Sequence, residues 1–144
     1  MQSTTLNKPD VSIMAPTSPG QLLDRITILQ IKAKKISGGS RRLAIVSELN
    51  ALVAVLEHNV PQVPEISRVK DELSRVNARL WDIEDQLRIF EANSDFGQEF
   101  IEAARSVYKF NDERCELKRQ VDELLGSQIT DQKIYLASHY KTPE

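Results

Sequence analysis

A single cysteine, Cys115, stands in a chain of 144 residues, so no disulfide can close within it, and that suits a reducing cytoplasm. Histidine is nearly as scarce: His58 and His139 each stand alone. Zinc needs further thiolates or imidazoles, and a di-metal site in a bundle needs Glu-x-x-His on two helices. Neither pattern occurs, so no metal and no cofactor is expected. The chain also lacks a Gly-x-x-x-x-Gly-Lys phosphate loop and a Gly-x-Ser-x-Gly elbow, which removes the commonest signatures of phosphoryl and acyl transfer. No run approaches the roughly 18 apolar residues of a membrane span. The start, MQSTTLNKPD, lacks the apolar core of a secretory signal. A cytoplasmic protein is expected. With a net charge of −2 and no basic stripe interleaved with aromatics, neither nucleic acid nor a membrane is its expected partner.

What the chain does have is helical periodicity. From Ile66 to Phe90 the apolar residues fall in a 3-4-3-4 rhythm: Ile66, Val69, Leu73, Val76, Leu80, Ile83, Leu87, Phe90. Such a seam keeps one face of a helix, here roughly 40 Å long, turned toward a partner. Upstream, Ser18-Pro19-Gly20-Gln21 reads as a capped helix start, with Ser18 as cap and proline in the first turn. The first helix then runs to about Ser37, its stripe of Leu22, Ile26, Leu29, Ala33 and Ile36 widened by Leu23, Ile28 and Ile31. Burial on more than one side follows. Gly38-Gly39 ends it, and Ser40 is the expected cap of a second helix over 41–59 bearing Leu43, Val46, Leu49, Val53, Leu56 and Val60. Pro61 and Pro64 break the chain. The third helix covers 64–92. A turn at Asn93–Gly97 follows, with Asp95 and Gln98 as an expected capping box, then a fourth helix over 96–125 that stops at Gly126.

The sequence therefore predicts an all-α, antiparallel bundle of four helices with a long, coiled-coil-like hairpin of the third and fourth. In domain terms, 1–17 is a disordered start followed by a short extended segment lying on the bundle, 18–126 is the bundle, and 127–144 is an irregular tail. That tail holds Ile129, Ile134, Tyr135, Leu136 and Tyr140, and is expected to dock loosely or reach another subunit. A short turn near residue 95 makes residues whose numbers add to about 190 face each other. The matching seam is Phe100, Ala103, Val107, Phe110, Arg114, Leu117, Val121 and Leu124. The same rule pairs Arg68 with Asp122, Asp71 with Arg119, Glu72 with Lys118, Asp85 with Arg105 and Arg88 with Glu102.

Arg114 interrupts that seam and needs a partner for its charge. A second face of the third helix carries Asn77, Trp81, Glu84 and Arg88, and one of the fourth carries Tyr108, Asn111, Cys115 and Lys118. Where they meet Arg25 and Lys32 of the first helix, a satisfied polar layer would fix helix pairing, whereas an open pocket would hold a carboxylated or phosphorylated ligand. The candidate ligand-binding residues are Arg25, Lys32, Trp81, Glu84, Asn111, Arg114 and Lys118; no catalytic residue is singled out. Residues 21–44 also carry six basic side chains against Asp24 alone.

Several stretches carry a family resemblance: Ser18–Leu29 with Ile31-Lys32, Leu80–Asp85, Asp95–Gly97, Tyr108–Arg114, Leu124–Ser127 and Lys133–Tyr135. They resemble a family of small, uncharacterised, mostly bacterial helical proteins. The resemblance implies neighbourhood to, or fusion with, glycosyltransferase-type proteins of surface polysaccharide synthesis, and no agreed activity. It touches Asp24, Arg25, Lys32, Trp81, Glu84, Asn111 and Arg114. The leading reading is a non-enzymatic interaction or oligomerisation module, most simply a homodimer. The alternative is a binder of a small anionic metabolite, or a chorismate-mutase-like enzyme working by electrostatic stabilisation in a polar pocket. A third, lesser reading is a salt-sensitive contact of the basic segment 25–42 with nucleic acid or a membrane surface.

Overall fold

The computed structural model describes residues 11–132, and among these it holds four helices and no strand: α1 (Pro19–Lys35), α2 (Gly39–Asn59), α3 (Pro64–Ala92) and α4 (Gln98–Leu124). The chain is an all-α antiparallel helical bundle, as its periodicity predicts. Proline opens both α1 and α3, where its missing N–H costs nothing. The Ser18 hydroxyl accepts from the Gln21 amide at 3.1 Å, as the sequence predicts.

The hairpin of α3 and α4 is the frame. Every α3 seam residue is buried except Leu87, which is half-buried. The Phe90 and Phe100 rings meet edge-on at 6.4 Å, and Phe96 meets Phe100 at 5.2 Å, so the register rule holds at the turn. Helix α1 lies against α2, α3 and α4 and buries Leu22, Leu23, Ile26 and Leu29. Among the described helices α2 comes closest to α1, and its Leu56 and Val60 join the core cluster near Ile66 and Val69. The core runs from Leu23 and Ile26 through Val69, Leu73 and Leu80 to Leu117 and Val121.

Five details differ from the sequence expectation, each for a local reason. Ser40 is not a cap: α2 starts two residues earlier, behind Gly38, whose φ of 75° only glycine adopts without strain. Asp95 does not cap with Gln98; its Oδ1 accepts from the Gly97 amide at 3.2 Å, closing the turn one step sooner. Leu43 is 71% exposed. Two successive three-residue steps, Leu43 to Val46 to Leu49, each fall short of a full turn and together swing Leu43 about 120° off the buried stripe. On α4, Leu124 is exposed and Leu125 packs on the core instead, because there the core centres toward α1. Val11, Ile13 and Met14 stand in solvent, Met14 at 91% exposure, and do not lie on the bundle.

The hairpin's ion pairs are also redistributed. Arg68 pairs with Glu72 and Arg88 with Asp85 within α3, and Arg119 pairs with Glu116 and Glu123 within α4. Asp122 and Lys118 are taken by α1 and by Asp131. Long exposed side chains find partners one turn away at less entropic cost than partners across a helix pair. The Glu116 carboxyl lies below the usual range, held there by the Arg119 hydrogen bond. Its contribution is present above the ordinary glutamate range and fades as pH falls through the lowered one. Both groups are exposed, so Arg119→Gln is expected to leave the denaturation midpoint nearly unchanged. The readings for Ile134, Tyr135, Leu136, His139 and Tyr140 lie outside the described residues.

Candidate functional site

Asp24 sits inside the apolar stripe of α1, 1% exposed, at the point where α1 passes over both arms of the hairpin. A buried carboxylate needs its charge answered. Arg114 of α4 does so with two parallel bonds, Nε to Oδ1 at 2.8 Å and Nη2 to Oδ2 at 2.6 Å. From α3, the Asn77 amide donates to Asp24 Oδ1 and to the Thr27 hydroxyl, both at 2.9 Å. Thr27 in turn donates to the Asp24 carbonyl at 2.8 Å. Three helices are thus tied by one closed network. The hydrogen bond to Asp24 raises the Arg114 pKa above its ordinary value against the opposing effect of burial, with the charges of Asp24, Glu84 and Asp131 adding to the rise. A raised folded-state pKa means that the pair's contribution is fully present below arginine's ordinary range and is lost only in strong alkali.

One turn earlier, Gly20 brings the two backbones together. Its amide donates to Asp122 Oδ1 at 2.7 Å. Helix α1 has no acidic residue in its own first turn, so a carboxylate from α4 supplies the negative charge its N-terminus favours. Beyond it Lys118, its side chain mostly buried, reaches Asp131 at 3.1 Å and holds the start of the tail against α4. Alongside runs an open groove of about 610 Å³ lined by Ala104, Val107, Tyr108, Asn111, Asp112, Arg114, Cys115, Lys118 and Asp131.

The structure divides the candidate residues. Asn111, Arg114 and Lys118 share the groove. Arg114 reaches Asn111 Oδ1 only at 3.4 Å through Nη1, its strong donors being spent on Asp24. Glu84 is exposed and acts on Arg114 through charge. Trp81 stands half-buried beneath the Lys35 ammonium, which lies 5.6 Å from the ring centroid, and its Nε1 has no hydrogen-bond partner among the described residues. Lys32 is half-buried and makes no ion pair there. Arg25 is not brought to the groove: it points to α2 and holds Glu48 at 2.8 Å. Both partners are nearly half exposed, so Arg25→Ala is expected to cost no more than about 1 kcal/mol in a denaturant titration. Asp24, Asn77 and Thr27, rather than Arg25 and Lys32, complete the polar layer around Arg114. The signal for Asp24 was an acidic side chain directly after Leu22 and Leu23 in the apolar stripe of α1, but spacing within one helix does not identify the arginine that answers it. Among the described residues, no group of three or more His, Cys, Asp or Glu side chains is placed to hold a metal ion.

A protein-family model described as a family of unknown function (DUF6165) matches residues 13–144, a span that takes in every helix. No curated protein and no solved structure matches the chain.

Proposed function

We propose that this chain, which belongs to the DUF6165 family of unknown function, is a non-enzymatic helical module that docks on protein, either a second copy or a larger partner. The observation that supports this reading is where the polar and apolar groups are spent. The buried charge at the crossing of α1, α3 and α4 is consumed internally, since Asp24 occupies the strong donors of Arg114. Meanwhile Ile89, Phe96, Ile101 and Tyr108 stand exposed on the hairpin and Leu43 on α2. Exposed apolar side chains on a rigid helical arm are the material of docking surfaces. The sequence resemblance adds a first partner to try, a glycosyltransferase-type protein of surface polysaccharide synthesis, with the bundle as its cytoplasmic accessory. The groove beside Asn111 and Lys118 supports the alternative, a small anionic ligand.

The test pairs two measurements. Ile89→Asp with Ile101→Asp is expected to leave the circular dichroism unchanged and to abolish the complex that the wild-type chain forms, as read by light scattering for self-association or by reconstitution with purified partner. In parallel, a thermal-shift screen of carboxylated and phosphorylated metabolites is expected to show no stabilisation. A metabolite that raises the melting temperature, with the effect lost in Asn111→Ala, would replace the docking reading by the ligand reading.

A further inference from the structure

Resting on that docking reading, we propose that the partner is a second copy of this chain, held by two equivalent contacts in which the acidic end of each hairpin enters the basic corner of the other. The two surfaces are complementary in charge. Residues 82–102, the hairpin end, carry seven carboxylates against Arg88 alone, whereas residues 32–42, where α1 ends and α2 begins, carry five basic side chains and no acidic one. Much of this charge is unspent within the chain. Glu91 and Glu99 at the hairpin end, and Lys34, Arg41 and Arg42 at the corner, are exposed and form no ion pair among the described residues. Within the chain one pair of this kind forms: Lys35 at the corner lies 3.6 Å from Asp82, the first acid of the hairpin end.

Each surface also offers apolar area. Between α1 and α2 the corner opens into a shallow cleft of about 540 Å³ lined by Gln30, Ala33, Lys34, Ile36, Arg42 and Leu49; the three apolar side chains are half-buried and the two basic ones exposed. At the hairpin turn Phe96 is 51% exposed, an apolar side chain next to Asp95 and between Glu91 and Glu99 in sequence. The core cluster ends at Leu80 on α3, so the hairpin beyond it projects as a two-helix arm. Corner and turn lie roughly 20 Å apart along α3, between the levels of Asp82 and Asp95. Two hairpins overlapped antiparallel over that length place each turn at the other's corner. Since every chain carries both halves, the contact is self-complementary and closes at two copies.

Charge reversal tests this directly. One variant carries Glu91→Lys with Glu99→Lys, the other Arg41→Glu with Arg42→Glu, each checked for fold by circular dichroism and sized by sedimentation equilibrium at low ionic strength. The wild-type chain is expected to be a dimer whose dissociation constant rises at least about tenfold as salt goes from about 0.01 M to about 1 M and the screening length shrinks from about 30 Å to about 3 Å. Each variant alone is expected to dissociate at least about tenfold more readily. Their equimolar mixture is expected to regain the dimer, because in the mixed pair the reversed hairpin end meets the reversed corner and the native end meets the native corner, so every exchanged side chain faces the opposite charge. A monomeric wild-type chain, a variant that dimerises as the wild type does, or a mixture that stays monomeric would each overturn the proposal. A wild-type dimer insensitive to both reversals would sink this interface and leave the docking reading standing. That reading falls separately, when Ile89→Asp with Ile101→Asp loses no complex.

Discussion

Gly20→Ala is expected to destabilise the bundle by about 3 kcal/mol or more, at or beyond the upper end of ordinary overpacking costs. A Cβ at this position would lie 2.2 Å from the Lys118 carbonyl oxygen, 2.8 Å from its carbon and 2.9 Å from Asp122 Oδ1. The first two atoms are helical backbone of α4 and cannot rotate away. Relief requires α1 to lift from α4, and lifting it stretches the Gly20 amide bond to Asp122 and the two bonds between Arg114 and Asp24. Gly38 supplies the contrast. A Cβ there meets nothing within 4 Å, and its φ of 75° with ψ of −177°, a backbone conformation nearly confined to glycine, leaves only a strain of about 1–3 kcal/mol. Denaturant titrations of the two alanine variants should rank in that order with similar slopes. A Gly20→Ala protein with the wild-type midpoint would mean that α1 and α4 do not approach as described.

Asp24→Ala is expected to cost about 3–5 kcal/mol, the usual consequence of removing one member of a buried ion pair. Arg114 is only 29% exposed at its side chain, so water compensates it poorly, and Asn77 loses one of its two acceptors. Arg114→Met leaves the Asp24 carboxylate buried with Asn77 alone and is expected to cost a comparable amount. The double variant Asp24→Leu with Arg114→Met removes both charges and should recover most of the loss, since apolar groups of similar volume replace buried ion pairs at little cost. A cycle of these variants with Asp24→Leu and Arg114→Met singly should therefore be strongly non-additive. Strict additivity would show that the two residues do not depend on each other. Because the Arg114 pKa is raised, the contribution of this pair should persist across neutral and mildly alkaline pH. If the double variant folds and still forms the wild-type complex, the polar layer is scaffolding, as the docking reading requires.

Much of this architecture is written locally. The spacing of Ile66 through Phe90, the prolines at 19, 61 and 64 and the glycines at 38 and 97 mark where helices start and stop, because helical periodicity and backbone punctuation act within a few residues. The bounds of α3 follow directly, and those of the others lie within a residue or two. A short turn between two long helices leaves only an antiparallel neighbour arrangement, so the pairing of Phe90 with Phe100 was also legible.

The placement of α1 was not. A helix with apolar residues on several sides declares that it is buried, but not against what. Its seat on the hairpin is decided by three non-local matches: a glycine where two backbones touch, Asp24 opposite Arg114, and a carboxylate from α4 at its N-terminus. That same seat turned Arg25 toward Glu48 and left the groove to Asn111, Arg114 and Lys118. Spacing along one helix fixes which residues share a face; which face of another helix receives them depends on contacts between residues far apart in sequence, and only the assembled core selects those.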